Sequence, residues 1–409
     1  MPESATRRFL RRSLITLGAT GALASAAHAA TINVSSASAL ANAVNTANGS
    51  GGGTTIALAD GTYTLGDTLT IKVPNVSITG QSGNRAAVII QGDAMSASAT
   101  VKNLIKVSAS NFTITNVTLQ KSGWHLIQVG GESNADGTVI RNVVFRDAWE
   151  QMLKVSIDQA NYAVTGDNGI IENSVFEYTA GIGPQYYIGG IDVHGGKNWV
   201  VRGNTFRSII SPSQTVAEFA IHFWNQSADA LVEKNIIVNC DRGIGFGLDG
   251  RGNSRGIIRN NMIYHSAGNG SFADTSIYLD QSPGTQIYNN SIYMENSYPR
   301  SIEYRFAESS GVLIVNNLSN RPAGARDGAS ATEGSNVWTA AASWFVTPSQ
   351  GNLRLASANT SVVDKGRAVT GLTDDIDGNA RTGSVDIGAD EYGGAAAVKP
   401  NPPTNVTVQ

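Results

Sequence analysis

Eight triplets in this sequence place one residue between two apolar ones. They are Ile105-Lys106-Val107, Ile127-Gln128-Val129, Leu153-Lys154-Val155, Ile191-Asp192-Val193, Ile221-His222-Phe223, Ile244-Gly245-Phe246, Ile277-Tyr278-Leu279 and Ile302-Glu303-Tyr304. Alternate residues of a strand face opposite sides, so an inward apolar pair turns the middle residue outward. Two positions further along, Ser108, Gly130, Ser156, His194, Trp224, Gly247, Asp280 and Arg305 form a second outward row. The early positions are bland. From Lys154 onward nearly every one is ionisable, aromatic or glycine.

If the triplets stack, Lys154, Asp192 and His222 become neighbours. A carboxylate between an ammonium and an imidazole would orient the ring and favour its charged form. As a plain surface pair, Lys154 and Asp192 would be worth under about 1 kcal/mol. Asp280 and Arg305 also become neighbours, with Glu303 on the diagonal. Gly245 and Gly247 present no side chain, which predicts a bare floor about 10 Å wide, two strand spacings. His222 and Trp224 would flank it on one side, Tyr278 and Asp280 on the other. Lys154, Asp192, His194, His222, Tyr278, Asp280 and Arg305 are therefore the candidate catalytic residues. Gln128, Trp224, Arg242, Gly245, Gly247 and Glu303 are the candidate binding residues. Asp241 and His125 lie at strand edges and are weaker candidates. The histidines lack zinc-site spacing, and no nucleophile-elbow motif occurs.

Short strands recurring at this spacing predict one coil of a solenoid per repeat, about eight to ten coils in all. A second strand follows each triplet and ends at Asn116, Asn142, Asn173, Asn204, Asn235, Asn261, Asn290 or Asn317. An amide repeated at one turn can bond the amides above and below it, satisfying buried turn backbone. An antiparallel sandwich would instead need short hairpin turns, which are scarce here. The expected fold is all-β, a right-handed parallel β-helix. Residues 37–48 have helical apolar spacing after Ser35 and Ser36, which predicts a short N-terminal helix capping the open end. Beyond about residue 320 the period fades, and the segment to Tyr392 is expected to close the other end. Unusually long separations precede Ile191 and Ile277. The aromatic, glycine-rich stretch 178–190 is placed as a wall of the groove.

The chain has 409 residues with 45 Gly, one Cys and a net charge of −3. That balance excludes a nucleic-acid footprint, and the single Cys240 excludes a disulfide framework. Arg7, Arg8, Arg11 and Arg12 precede an apolar run ending at Ala27-His28-Ala29, which predicts a twin-arginine-like export signal over 1–29. The β-helix domain is expected over 30–392 and a flexible tail over 393–409. No stretch has the length of a membrane span. An exported monomer, periplasmic or extracellular, is expected.

The Asn-ended repeats, the Ala59-Asp60-Gly61-Thr62-Tyr63 turn and the stacked Ile-x-Val strands resemble the pectate-lyase-like parallel β-helix superfamily. The pattern Asp375-Ile376-Asp377-Gly378, followed by Asp386-Ile387-Gly388-Ala389-Asp390-Glu391-Tyr392, is similar to the C-terminal end of many secreted bacterial β-helix proteins. The resemblance implies the fold and a carbohydrate-related role, and it leaves lyase, inverting glycosidase, epimerase and non-catalytic glycan binder open. The foremost expectation is a lyase acting on an acidic polysaccharide by β-elimination. In that scheme Arg305 or Lys154 neutralises the sugar carboxylate, His222 or His194 is the base, and Tyr278 is the acid or a second base. A calcium ion on Asp192 or Asp280 could stand in for the cation. The hydrolase alternative rests on Asp280 and Glu303 as the carboxyl pair.

Overall fold

The computed structural model describes residues 30–213, 218–268, 274–381 and 383–394. The segment 1–29, expected to be an export signal, and all but the first two residues of the expected tail lie outside them. Ten short strands form one face of the molecule. They are β1 (Leu69–Ile71), β2 (Ile105–Val107), β3 (Ile127–Gly130), β4 (Gln151–Ser156), β5 (Gly189–His194), β6 (Phe219–Trp224), β7 (Arg242–Phe246), β8 (Ile277–Asp280), β9 (Ile302–Arg305) and β10 (Ala323–Arg326). Each pairs in parallel with the next. The register stacks all eight triplets: Ile105 on Ile127, then Leu153, Ile191, Ile221, Ile244, Ile277 and Ile302. A 20-stranded sheet forms the remaining walls. The result is a right-handed parallel β-helix, the hand that parallel crossovers favour.

The triplets form strands because β-branched pairs fill a pleated, buried surface. Their apolar members are almost fully buried, each contributing about 1.5–3 kcal/mol. Phe145, Phe176 and Phe206 stack at 4.4 and 4.7 Å on another wall. Helix α1 (Ala37–Ser50) starts where Ser36 Oγ accepts from the Ala39 amide at 3.2 Å. It stops at Gly51, whose φ of 82° is left-handed. Leu40, Ala43, Val44 and Ala47 of α1 are buried in the main core.

The asparagine row differs in one respect from its sequence reading: it is two rows. Asn116, Asn142 and Asn173 adopt positive φ at the turn, as do Gly203, Lys234, Asn260, Asn289 and Asn316. Asn204, Asn235, Asn261, Asn290 and Asn317 occupy the next position. There each amide donates to the following oxygen at 3.0 Å, and the ladder ends on Asn336 at 3.1 Å. The two rows arise because one position needs a residue tolerant of left-handed backbone, and its neighbour needs a side chain that mimics a peptide.

Ala323, Ala329, Ala331 and Trp338, in the first part of the segment expected to close the stack, pack against the main core, and the chain after residue 340 takes another course. It lies along the flank and packs a second core, including Phe345, Leu353, Ile376 and Ile387, against Met262 and Leu318. It docks on the positive-φ row: Asn260 Nδ2 donates to the Asp374 carbonyl at 2.8 Å, Asn289 Nδ2 to Asp386 at 2.9 Å and Asn316 Nδ2 to Arg367 at 2.8 Å. The acidic pattern of this segment ties it into a knot. Asp375 accepts from the Asp377, Asn379 and Glu391 amides. Arg381, buried at its centre, pairs with Glu391 at 2.8 Å.

Candidate functional site

The stacked register places Lys154 beside Asp192, Asp192 beside His222, and His194 beside Trp224. Asp192 is the hub. Its Oδ2 receives the Lys154 ammonium and faces His194 Nε2 at 3.4 Å. Its Oδ1 accepts from Trp224 Nε1 at 2.7 Å and lies 3.6 Å from His222 Nδ1. Asn225 Nδ2 meets His194 Nδ1 at 3.3 Å, and Asn225 Oδ1 accepts from the Tyr162 hydroxyl at 3.0 Å. The tyrosine fixes the amide orientation, so His194 Nδ1 accepts and its proton sits on Nε2, toward Asp192. The rings are packed as well: His222 and Trp224 stack at 5.0 Å, and His194 and Trp224 tilt at 4.5 Å.

This is a desolvated cluster, with Lys154, Asp192, His194 and His222 all under a tenth exposed. Burial works against the Asp192 charge, yet the Lys154 ammonium and the hydrogen bond from His194 outweigh it and hold the carboxyl well below its usual range. Burial also opposes the Lys154 charge, and Asp192 with Tyr187 lifts that group above its usual value. His222 goes the other way. Burial pulls it down to about 3 despite Asp192 and the Gly247 backbone, so the ring is neutral rather than charged as its neighbours alone would suggest.

The second half of the row forms a separate cluster. Tyr278 lies 3.4 Å from both Asp280 Oδ2 and Arg305 Nη1, and Arg305 Nε donates to Asp327 at 2.6 Å. Burial raises the Asp280 carboxyl. The bare floor expected between the clusters is absent. The Phe219 ring lies across Gly245, where a Cβ would come within 2.6 Å of it. That ring packs on His222 at 4.5 Å and Tyr278 at 5.9 Å. Gly247 serves a turn instead, at φ 81° and with the Asp280 carbonyl 1.9 Å from where a Cβ would stand. Arg242 covers the Phe219 and Tyr278 rings and pairs with Asp274 at 2.7 and 2.8 Å. Glu303 is held by Tyr298, Arg300 and Arg326, and Gln128 by Asn103 at 2.9 Å. His125, pulled to about 4 by burial, sits at the Gln151 carbonyl. Asp241, pushed up to about 7 by burial, receives the Ser211 amide.

Four residues outside the two rows belong here. Tyr187, from the aromatic loop, brings its hydroxyl within 3.3 Å of Lys154 Nζ. Arg251 lies 4.1 Å over the Trp224 ring. Phe219 starts β6 and Glu218 immediately precedes it. Burial, reinforced by Asp192, pushes the Glu218 carboxyl up to about 8, so it carries a proton at neutral pH.

No family model matches the chain, and no curated protein does either. Solved structures do. An alginate lyase from Paenibacillus sp. is 13% identical, over 75% of this chain and 99% of that one, with a TM-score of 0.45. The tailspike protein of the E. coli bacteriophage HK620, solved with a pentasaccharide, is 14% identical over 72% of this chain and 60% of that one, with a TM-score of 0.49. A pectin methylesterase from Erwinia chrysanthemi is 15% identical over 65% of this chain and 80% of that one, with a TM-score of 0.33. What these structures share with the chain is the parallel β-helix fold. Likenesses this distant assign no activity, so the chemistry must come from the side chains of this face.

Those side chains do not fit calcium at the expected positions. The Asp192 oxygens already face an ammonium, an indole N–H and an imidazole N–H. Asp280 lies against the Tyr278 hydroxyl, near the Arg305 charge, and accepts from the Gly250 amide. Among the described residues, Asp375, Asp377 and Asp390 in the flank segment are three acidic groups close enough together to hold a cation. There Arg354 already binds Asp377 through two nitrogens, at 2.5 and 2.7 Å. No helix among the described residues is long and apolar enough to cross a membrane.

Proposed function

We propose that this protein is a polysaccharide lyase that cleaves a uronic-acid polymer by β-elimination at the Lys154–Tyr187 pair. The observation that carries the reading is a phenol and an ammonium 3.3 Å apart at the open edge of a desolvated cluster. Tyr187 is 38% exposed, whereas Lys154 is almost covered. A substrate ring at this edge would reach the hydroxyl and place its carboxylate against the ammonium.

β-Elimination removes the proton at C5, breaks the C4–O bond and leaves a C4–C5 double bond. Lys154 stabilises the negative charge that spreads onto the sugar carboxylate as the C5 proton leaves. Tyr187 Oη, beside that ammonium, takes the C5 proton and returns it to the departing O4. The C5–H electron pair becomes the C4–C5 double bond, and the C4–O pair leaves on O4, which receives the proton. Asp192 keeps Lys154 charged and in place, and Trp224 and His194 hold Asp192. His222 is neutral and covered by Phe219, and His194 Nδ1 is already bonded, so neither takes the C5 proton in this scheme. Tyr278 and Arg305 lie four and five turns from Lys154 and take no part in the step.

The test is incubation of the protein with alginate, polygalacturonate and hyaluronan, following ultraviolet absorbance of the unsaturated product. Absorbance that disappears in Tyr187→Phe supports the reading. New reducing ends without absorbance would overturn it and favour hydrolysis, with the protonated Glu218 as acid in place of the fully paired Glu303. Retention of polymer without products would point to a binding protein.

A further inference from the structure

The face continues beyond the Lys154 cluster toward the N-terminal turns, and there it repeats one arrangement. Trp124 is 44% exposed, with the Lys102 ammonium 6.0 Å from its ring. Tyr187 is 38% exposed, with the Lys154 ammonium 5.7 Å from its ring. Both aromatics precede a strand of the same face, Trp124 before β3 and Tyr187 before β5. The backbone fixes their spacing. The Trp124 amide donates to Lys102 at 2.7 Å and the Glu150 amide to Trp124 at 3.1 Å, so Lys102, Trp124 and Glu150 lie on successive turns. The Gln185 side chain then bridges the Trp149 and Tyr187 carbonyls at 2.7 and 2.9 Å, fixing the aromatic loop to the next turn. Two turns separate the pairs, about 10 Å. Tyr186, 53% exposed and 6.2 Å from the Tyr187 ring, widens the apolar surface.

An exposed aromatic beside an ammonium suits a pyranose face: apolar C–H groups on the ring, hydroxyls at its rim. A uronate ring laid on the open side of either aromatic brings its carboxylate toward the neighbouring ammonium. Lys106, in the outward row between β1 and β3, adds a third cation to this stretch. The carboxylates nearby are Glu150, which pairs with His125 at 3.7 Å and is raised by burial, and Glu132, which receives the Ser156 hydroxyl at 2.7 Å.

We propose that Trp124 with Lys102 forms a distal subsite for an acidic polysaccharide, so that the bound chain runs along the helix axis from Tyr187 toward the N-terminal turns. The inference rests on the functional reading above and adds the direction and the far anchor of the substrate.

The experiment is affinity electrophoresis of the full chain through gels containing alginate, polygalacturonate or dextran, beside turnover of the uronate polymers. Trp124→Ala and Lys102→Ala are compared with Val346→Ala, an exposed apolar position on the flank segment. The expected result is retardation by a uronate polymer, weakened about three- to tenfold in Trp124→Ala, as one lost stacking contact implies. Lys102→Ala should lower the preference for uronate over dextran, and Val346→Ala should match the parent. Undiminished retardation of Trp124→Ala in a protein that still turns over polymer overturns the subsite and leaves the lyase reading standing. Retardation without any turnover, still lost in Trp124→Ala, removes the lyase reading and keeps the subsite. Equal retardation by dextran, or none by any polymer, removes the subsite as an anchor for acidic chains.

Discussion

Replacing Lys154 by Met tests whether the Asp192 cluster is as dry as its burial suggests. The substitution keeps the length of the apolar stem and deletes the charge. Asp192, 5% exposed, then keeps Trp224 Nε1 at 2.7 Å but loses its one full positive partner. Two exposed charges would lose under about 1 kcal/mol. A covered carboxylate left without its cation costs about 3–5 kcal/mol. The size of the loss therefore distinguishes the two environments. Urea unfolding of the parent, Lys154→Met, Asp192→Asn and the double variant closes a thermodynamic cycle. The expected outcome is a loss of several kcal/mol in Lys154→Met, most of it recovered when Asp192→Asn is added. The mechanism is the carboxylate's: its folded-state value lies well below the unfolded one, so its stabilisation is present above the unfolded carboxylate range and lost as pH falls through the folded value. Lys154→Met should consequently regain part of its deficit on acidification. A loss below about 1 kcal/mol, or a double variant no better than the single, would show a solvated pair and refute the reasoning.

Other perturbations reach different links. Asn261→Ala removes donors to the Val232 and Arg259 carbonyls, each at 3.0 Å, and the acceptor for the Asn235 amide. At about 1–3 kcal/mol for each orphaned group, a loss of about 3–5 kcal/mol is expected in denaturant titration. His265 is pulled down to about 4 by burial. A depressed histidine binds its proton more weakly when folded, so stability is full above the unfolded value of 6.5 and falls between there and about 4. His265→Met should therefore flatten the loss between pH 7 and pH 4 by about 3 kcal/mol, and parallel curves would contradict it. Gly245→Ala pushes a methyl into the Phe219 ring. It should change the near-ultraviolet circular dichroism of the site while leaving far-ultraviolet signal intact.

The outward rows were legible because a parallel solenoid converts sequence period directly into vertical adjacency. Once Ile191 stacks on Ile221, Asp192 must stand beside His222. The arrangement within each row was less legible. Ala220 and Ile221 are both core residues, as are Met152 and Leu153, so strict alternation fails at the strand starts. That displacement turns Phe219 outward over Gly245 and hides it from a period-two reading. Tyr187 comes from a loop, where spacing carries no register, although the aromatic run 178–190 marked it as a wall. The charge state of His222 was misjudged because its neighbours are visible in the triplets and its burial is not. The acidic C-terminal pattern was visible as a pattern, but its docking surface, the amides of Asn260, Asn289 and Asn316, follows from the turn conformation.

That flank segment has a mechanical consequence. A solenoid in which each turn touches only the next can unzip from its ends one rung at a time. Here a single stretch of chain is riveted to successive rungs, through Lys234 to Asp374 at 2.5 Å, Ser291 to Ala389 at 2.9 Å and Asn316 to Gly388 at 2.8 Å. It acts as a splint: no one of these rungs can peel away without tearing fastenings shared with the others. The half of the molecule carrying β7 to β9 should accordingly come apart as a block, with fraying confined to rungs the splint does not reach.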